Sequence, residues 1–171
     1  MSLIKILSNE LEQEAVSTRK MLEIVPDDKY DWKAHPKSMT IIALTTHIAE
    51  IPGWIEHAII NDGLDFATTP YNPKVINNTK ELIEFFEESL AKGKSQLVEE
   101  NEEKLKGRWV MRNGDAVLMD LSKAEVIRHS LCQLIHHRAQ LGVYLRLLDI
   151  PIPGVYGPSA DEMNHLLVPV L

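Results

Sequence analysis

The stretch SKAEVIRHSLCQLIHHRAQLGVYLRLLDIP, residues 122–151, decides the fold. Ser122 and Glu125 stand at the spacing of a capping box, in which the serine hydroxyl accepts from a backbone N–H of the first turn and the glutamate accepts from the serine's own N–H. Ile127, Leu131, Leu134, Leu141, Leu145 and Leu148 follow at helical steps, predicting one long helix that stops before Pro151. A stripe of that length has to be buried against other elements. Upstream, Ile4, Leu7, Leu11, Ala15, Thr18, Leu22 and Val25 predict a first helix ended by Pro26. Ile41, Leu44, Ile48, Ile51, Ile55 and Ile59 predict a second, from Thr40 to about Ile60, kinked where Pro52 clashes with the Ile48 carbonyl.

Residues 61–77 hold Gly63, Pro70 and Pro73 and read as a loop. A third helix opens with Asn78 and Glu81 in capping-box spacing and runs to about Leu105, burying Leu82, Phe86, Leu90 and Leu97. Between it and the last helix, Arg108 to Met119 carries two β-type runs around Asn113-Gly114, a hairpin signal. The expected fold is all-α, an antiparallel four-helix bundle with a small β-hairpin between helices three and four, as a single domain over residues 1–171.

Composition narrows the function classes. Apolar residues make up 44% and charged residues 25% of the 171, ordinary values for a soluble domain, and no apolar run reaches the roughly 18–20 residues of a membrane span. The first residues lack the apolar core of an export signal, and the one cysteine, Cys132, has no partner within the chain, so a cytoplasmic location is expected. Cys132 itself is expected to be a small buried hydrophobe. The net charge of −7 is the wrong sign for neutralising phosphates, which argues against nucleic-acid and anionic-membrane partners. The tail Leu166 to Leu171 is apolar, too short to span a bilayer, and suited to covering a core opening or a partner subunit.

Chemistry is sought among the seven histidines. His35, His57 and His165 read as ordinary surface or satisfied core residues. His47 lies between Leu44 and Ile51 on or beside the buried face of the second helix, where two ring nitrogens both need partners. On the last helix, side chains share a metal only at three- or four-residue separations. His129 is seven and eight residues from His136 and His137, roughly 10–12 Å along the axis, so no two histidines there chelate together. The pairs that fit are Gln133 with His137 or His129, and Cys132 with His136 or His129. Gln133, His137, Gln140 and Tyr144 form a polar line beside the apolar stripe, which suggests an interior site or a hydrogen-bonded network.

The segments HHRAQLGVYLRLLDIPIPGVYGPSADE (136–162) and THIAEIPGW (46–54) resemble the DinB-like superfamily, and the order and spacing of all four helices agree with it over the whole chain. The resemblance implies a four-helix bundle, often a homodimer, holding a divalent metal (zinc, nickel, manganese or iron) with three histidines. Carried onto this sequence, two of those positions fall on His47 and His137. The third falls on Gln133, a departure, because a carboxamide oxygen is a weaker ligand than imidazole for zinc or nickel. Glu50 and Gln140, each one turn beyond a histidine, are candidates to orient the two rings. The resemblance further implies a metal-dependent transferase using a low-molecular-weight thiol, or a hydrolase, with a small-molecule thiol or electrophile as partner. Trp54 and Tyr144 are the candidate walls of its pocket. The competing expectation is a non-catalytic bundle in which His47, Gln133 and His137 form a vestigial or weak site and the surface serves binding or assembly.

Overall fold

The structure is a computed structural model and describes residues 2–163. Its elements are α1 (Leu3–Glu23), α2 (Ile41–Glu50), α3 (Gly53–Ile60), β1 (Gly63–Asp65), α4 (Thr79–Gln96), β2 (Arg108–Asn113), β3 (Ala116–Ser122), α5 (Lys123–Leu147) and α6 (Ala160–Met163), with 3-10 turns at Asp27–Lys29 and Glu99–Lys106. The described chain is thus mostly helical, with a small three-stranded sheet.

Helix starts follow side-chain caps. Ser2, Thr40 and Asn78 each accept from the backbone N–H three residues on, and Ser122 with Glu125 forms the full capping box. α1, α2 and α3 each pack against both α4 and α5, so α4 and α5 carry the centre. Leu11, Leu22, Ile41, Ile48, Ile55, Leu82, Phe86, Ile127, Leu134 and Leu141 are fully buried there. Each such side chain contributes about 1.5–3 kcal/mol relative to exposure.

A buried polar network crosses this core between α1 and α5. Arg138 of α5, 2% exposed, meets the Glu14 carboxylate of α1 at 2.6 Å and donates to the Glu14 carbonyl and the Thr18 hydroxyl. Tyr156 closes the network from the segment after α5: its hydroxyl accepts from Arg138 at 3.1 Å and donates to Glu14 at 2.8 Å. The same segment is tied by Arg146 to Asp161, whose carboxyl is drawn down to about 2 by that guanidinium and by the Ile152 N–H.

Three expectations are corrected. The second helix is not one kinked rod: α2 ends at Glu50, and Pro52, which has no N–H, separates it from α3 while the backbone stays near helical angles. The third helix stops at Gln96 rather than Leu105, because the buried Asn101 amide donates to the Gln96 carbonyl and the chain continues as a 3-10 turn. The hairpin is real but has a third member. β1, within the stretch read as a loop, pairs in parallel with β2, Gly63 opposite Val110. A Cβ on Gly63 would run into the Val110 carbonyl, so glycine is what permits that approach. The apolar tail Leu166–Leu171 and His165 lie outside the described residues.

Candidate functional site

α2 and α5 bring His47 and His137 together. The ring centroids are 4.7 Å apart at an interplanar angle of 75°, edge to face. Each ring has an acceptor one helical turn along its own helix. The Glu50 carboxylate lies 2.6 Å from Nδ1 of His47, and the Gln140 carboxamide oxygen lies 2.9 Å from Nδ1 of His137. An oxygen acceptor on Nδ1 places the ring proton there and leaves Nε2 with its lone pair. Glu50 is held in turn by Tyr71, whose hydroxyl donates to the same carboxylate oxygen at 2.9 Å. Burial and that carboxylate push the Tyr71 phenol well above its ordinary value, so it stays a donor.

Burial holds His137 below its ordinary value, with the neighbouring His47 and His136 rings adding to the effect and Gln140 opposing it. The neutral imidazole is the form that binds a metal. Gln133, one turn before His137 on α5, approaches His129 with its amide nitrogen 3.3 Å from Nε2 of that ring. With the nitrogen donating to His129, the carboxamide oxygen of Gln133 is the end left available.

Two hollows flank His47 and share Trp54. One of about 440 Å³ has Met39, Phe66, Tyr71 and His137 around it. The other, about 180 Å³, is lined by Ile51, Met111, His129 and Gln133. Trp54 owes its place to the helix break, since α3 begins immediately after Pro52.

The donor set fits a divalent ion in part. Two imidazoles with their Nδ1 atoms engaged by oxygen acceptors are the oriented pair that metal sites use. Among the described residues, however, no three His, Cys, Asp or Glu side chains come together as a metal-binding group. Of the other sequence candidates, His136 meets His137 edge to face at 4.9 Å but is exposed, and Cys132 is exposed rather than buried, near Arg128. Tyr144 is no pocket wall here: it packs edge-on against Trp32 and donates to the Met39 carbonyl.

The same fold recurs in solved structures. A DinB-family member from Exiguobacterium sibiricum aligns with a TM-score of 0.66 at 17% identity over 90% of this chain and 97% of its own. DinB-like proteins from Bacillus cereus and Bacillus subtilis align with TM-scores of 0.65 at 17% and 18% identity, covering 88% and 87% of this chain and 95% and 96% of theirs. The sequence profile of the DinB family matches residues 2–166. The chain belongs to the DinB family. No curated protein sequence matches it. Among the described residues no helix is long and apolar enough to cross a membrane.

Sequence reading of this DinB chain missed four residues at the site. Tyr71 and Phe66 lie in the stretch read as a loop, Met111 on β2, and Met39 just before α2. The only local signal was the presence of aromatics in a polar, proline-rich segment. His57, read as inert, sits between Trp54 and Trp109 with both ring separations at 6.0 Å, and burial holds it below its ordinary value.

Proposed function

We propose that this DinB-family chain is a divalent-metal-dependent enzyme built on a four-helix bundle whose first and last long helices run in the same direction rather than antiparallel, as Glu14 meeting Arg138 and Met21 meeting Gly142 require, with the ion held by His47, His137 and the carboxamide oxygen of Gln133. The observation that carries the reading is the His47–His137 pair, 4.7 Å apart, with both Nδ1 atoms engaged by oxygen acceptors. A zinc, nickel, manganese or iron ion held there would supply Lewis-acid chemistry, lowering the pKa of a thiol or water toward neutral pH. Glu50 fixes the His47 tautomer, Tyr71 holds Glu50, Gln140 fixes His137, and Trp54 lines the hollow beside the pair. The reaction class in this reading is transfer to or from a low-molecular-weight thiol, or hydrolysis, in the cytoplasm.

Self-association belongs to the same reading. Leu3 and Ile6 of α1 and Val143 and Leu147 of α5 are exposed, and a second copy of the chain is the partner that would cover them.

The experiment is metal retention. Untagged protein dialysed against zinc, nickel or manganese should hold about one equivalent of ion, and His47→Ala and His137→Ala should lose it. Among the described residues no third imidazole or carboxylate joins the pair as a ligand group, which keeps one alternative, a polar cluster with no working metal in a module that binds or assembles. Unchanged metal content and thermal stability of His137→Ala in added zinc would support it.

A further inference from the structure

The larger hollow beside His47 and His137 has an uneven chemistry. Met39, Trp54, Phe66 and the ring of Tyr71 supply apolar and aromatic surface, and the one formal charge on its lining is the Glu50 carboxylate. The smaller hollow on the other side of Trp54 adds Ile51 and Met111. No Lys or Arg lines either hollow among the described residues. Lys74, three residues from Tyr71, is turned to Glu88 at 3.0 Å and lies over the Phe85 ring. Away from the histidine pair, where the proposed ion would sit, a carboxylate or phosphate would leave water without a counter-charge and would face Glu50 in a chain of net charge −7. An uncharged ring would exchange water for the faces of Trp54 and Phe66.

We propose that this cleft takes an uncharged small molecule with an aromatic or branched apolar body and discriminates against analogues carrying a carboxylate or phosphate. The apolar preference stands on the lining alone. The further point, that a thiol on such a molecule is what meets the histidine pair, rests on the metal reading above.

A matched pair of probes tests it. 4-Methylbenzenethiol and 4-mercaptobenzoate share ring and thiol and differ in a methyl against a carboxylate. Calorimetric titration of the zinc-loaded full chain should favour the methyl compound by at least about tenfold. Met39→Lys, at a position 40% exposed and outside the histidine pair, places a cation on the lining and should shrink that ratio by about tenfold. Equal binding of the two probes, tighter binding of the carboxylate, binding of neither, or a ratio indifferent to Met39→Lys overturns the proposal. Toluene, which has no thiol, separates the two readings. If protein that retains no ion after dialysis against zinc, nickel or manganese binds toluene and still prefers the methyl probe, the apolar cleft stands and the metal site fails. If both thiols bind equally and only when zinc is present, the metal site stands and this inference fails.

Discussion

Glu50→Gln isolates the contribution of one charge to the centre. The Glu50 oxygen stands 2.6 Å from Nδ1 of His47 and 2.9 Å from the Tyr71 hydroxyl, so it serves two donors at once. A hydrogen bond to a charged group is worth about 1.5–3 kcal/mol and a neutral one about 0.5–1.5. Glutamine keeps an oxygen that accepts from His47 but removes the charge, a loss of about 1.4 kcal/mol, or about tenfold in metal affinity. Glu50→Ala removes the acceptor altogether and should approach the roughly 100-fold upper end for such supporting groups. Competition against a chromophoric zinc chelator at neutral pH reads the affinity, and an unchanged thermal melt shows that the fold is intact. An affinity for Glu50→Gln within about twofold of the parent, in a protein whose His47→Ala variant binds no zinc, would refute the reasoning, because the carboxylate would then not be supporting the ring.

Other outcomes follow from the same contacts. Gln133→His should raise zinc affinity by at least about tenfold in the chelator assay, since imidazole replaces a carboxamide at a position one turn from His137. Arg138→Met should cost about 3–5 kcal/mol in urea unfolding by stranding Glu14, which is 4% exposed, whereas the double change Arg138→Met with Glu14→Leu should recover much of it. His57 and His137 are both held below 6.5 by burial, so the unfolded chain takes up protons first as the pH falls. Stability is therefore full above about pH 6.5 and declines below it toward their lowered values, and His57→Leu should flatten that decline in urea midpoints measured across the range. Val143→Glu with Leu147→Glu, at positions each 59% exposed, should reduce any dimer seen by sedimentation to monomer without changing the melt.

The parts of this fold that were legible in the sequence are those set by neighbours along the chain. The Ser122–Glu125 box and the leucine stripe to Leu145 place α5 because cap, stripe and stop all act within a few residues. The 113–114 turn places the hairpin for the same reason, and Gly114 adopts the positive φ of 59° that the turn needs. β1 was not legible. It is three residues long, too short for a period to register, and exists because residues more than forty positions later pair with it. The end of α4 misled for a different reason: Leu97 and Leu105 are both buried and continue the apolar pattern, while the stop comes from the Asn101 side chain reaching the Gln96 carbonyl. At the site, i,i+3 spacing foretold Glu50 on His47 and Gln140 on His137. The approach of His47 to His137 is a tertiary contact across ninety residues of chain, and only the resemblance to a family suggested it. The Phe66 N–H donates to the Arg112 carbonyl beside β1, so missing that strand meant missing Phe66 as well, while Tyr71 is tied across the chain to Glu50 of α2.

In the proposed centre, α2 and α5 would present two oriented imidazoles, with the oxygen of Gln133, to a single divalent ion. Elemental analysis of untagged protein after dialysis against zinc, nickel or manganese tests it most directly. The account predicts about one bound ion per chain, lost on substituting either His47 or His137. Retention of less than about a tenth of an ion of every metal, or full retention in both alanine variants, would contradict it.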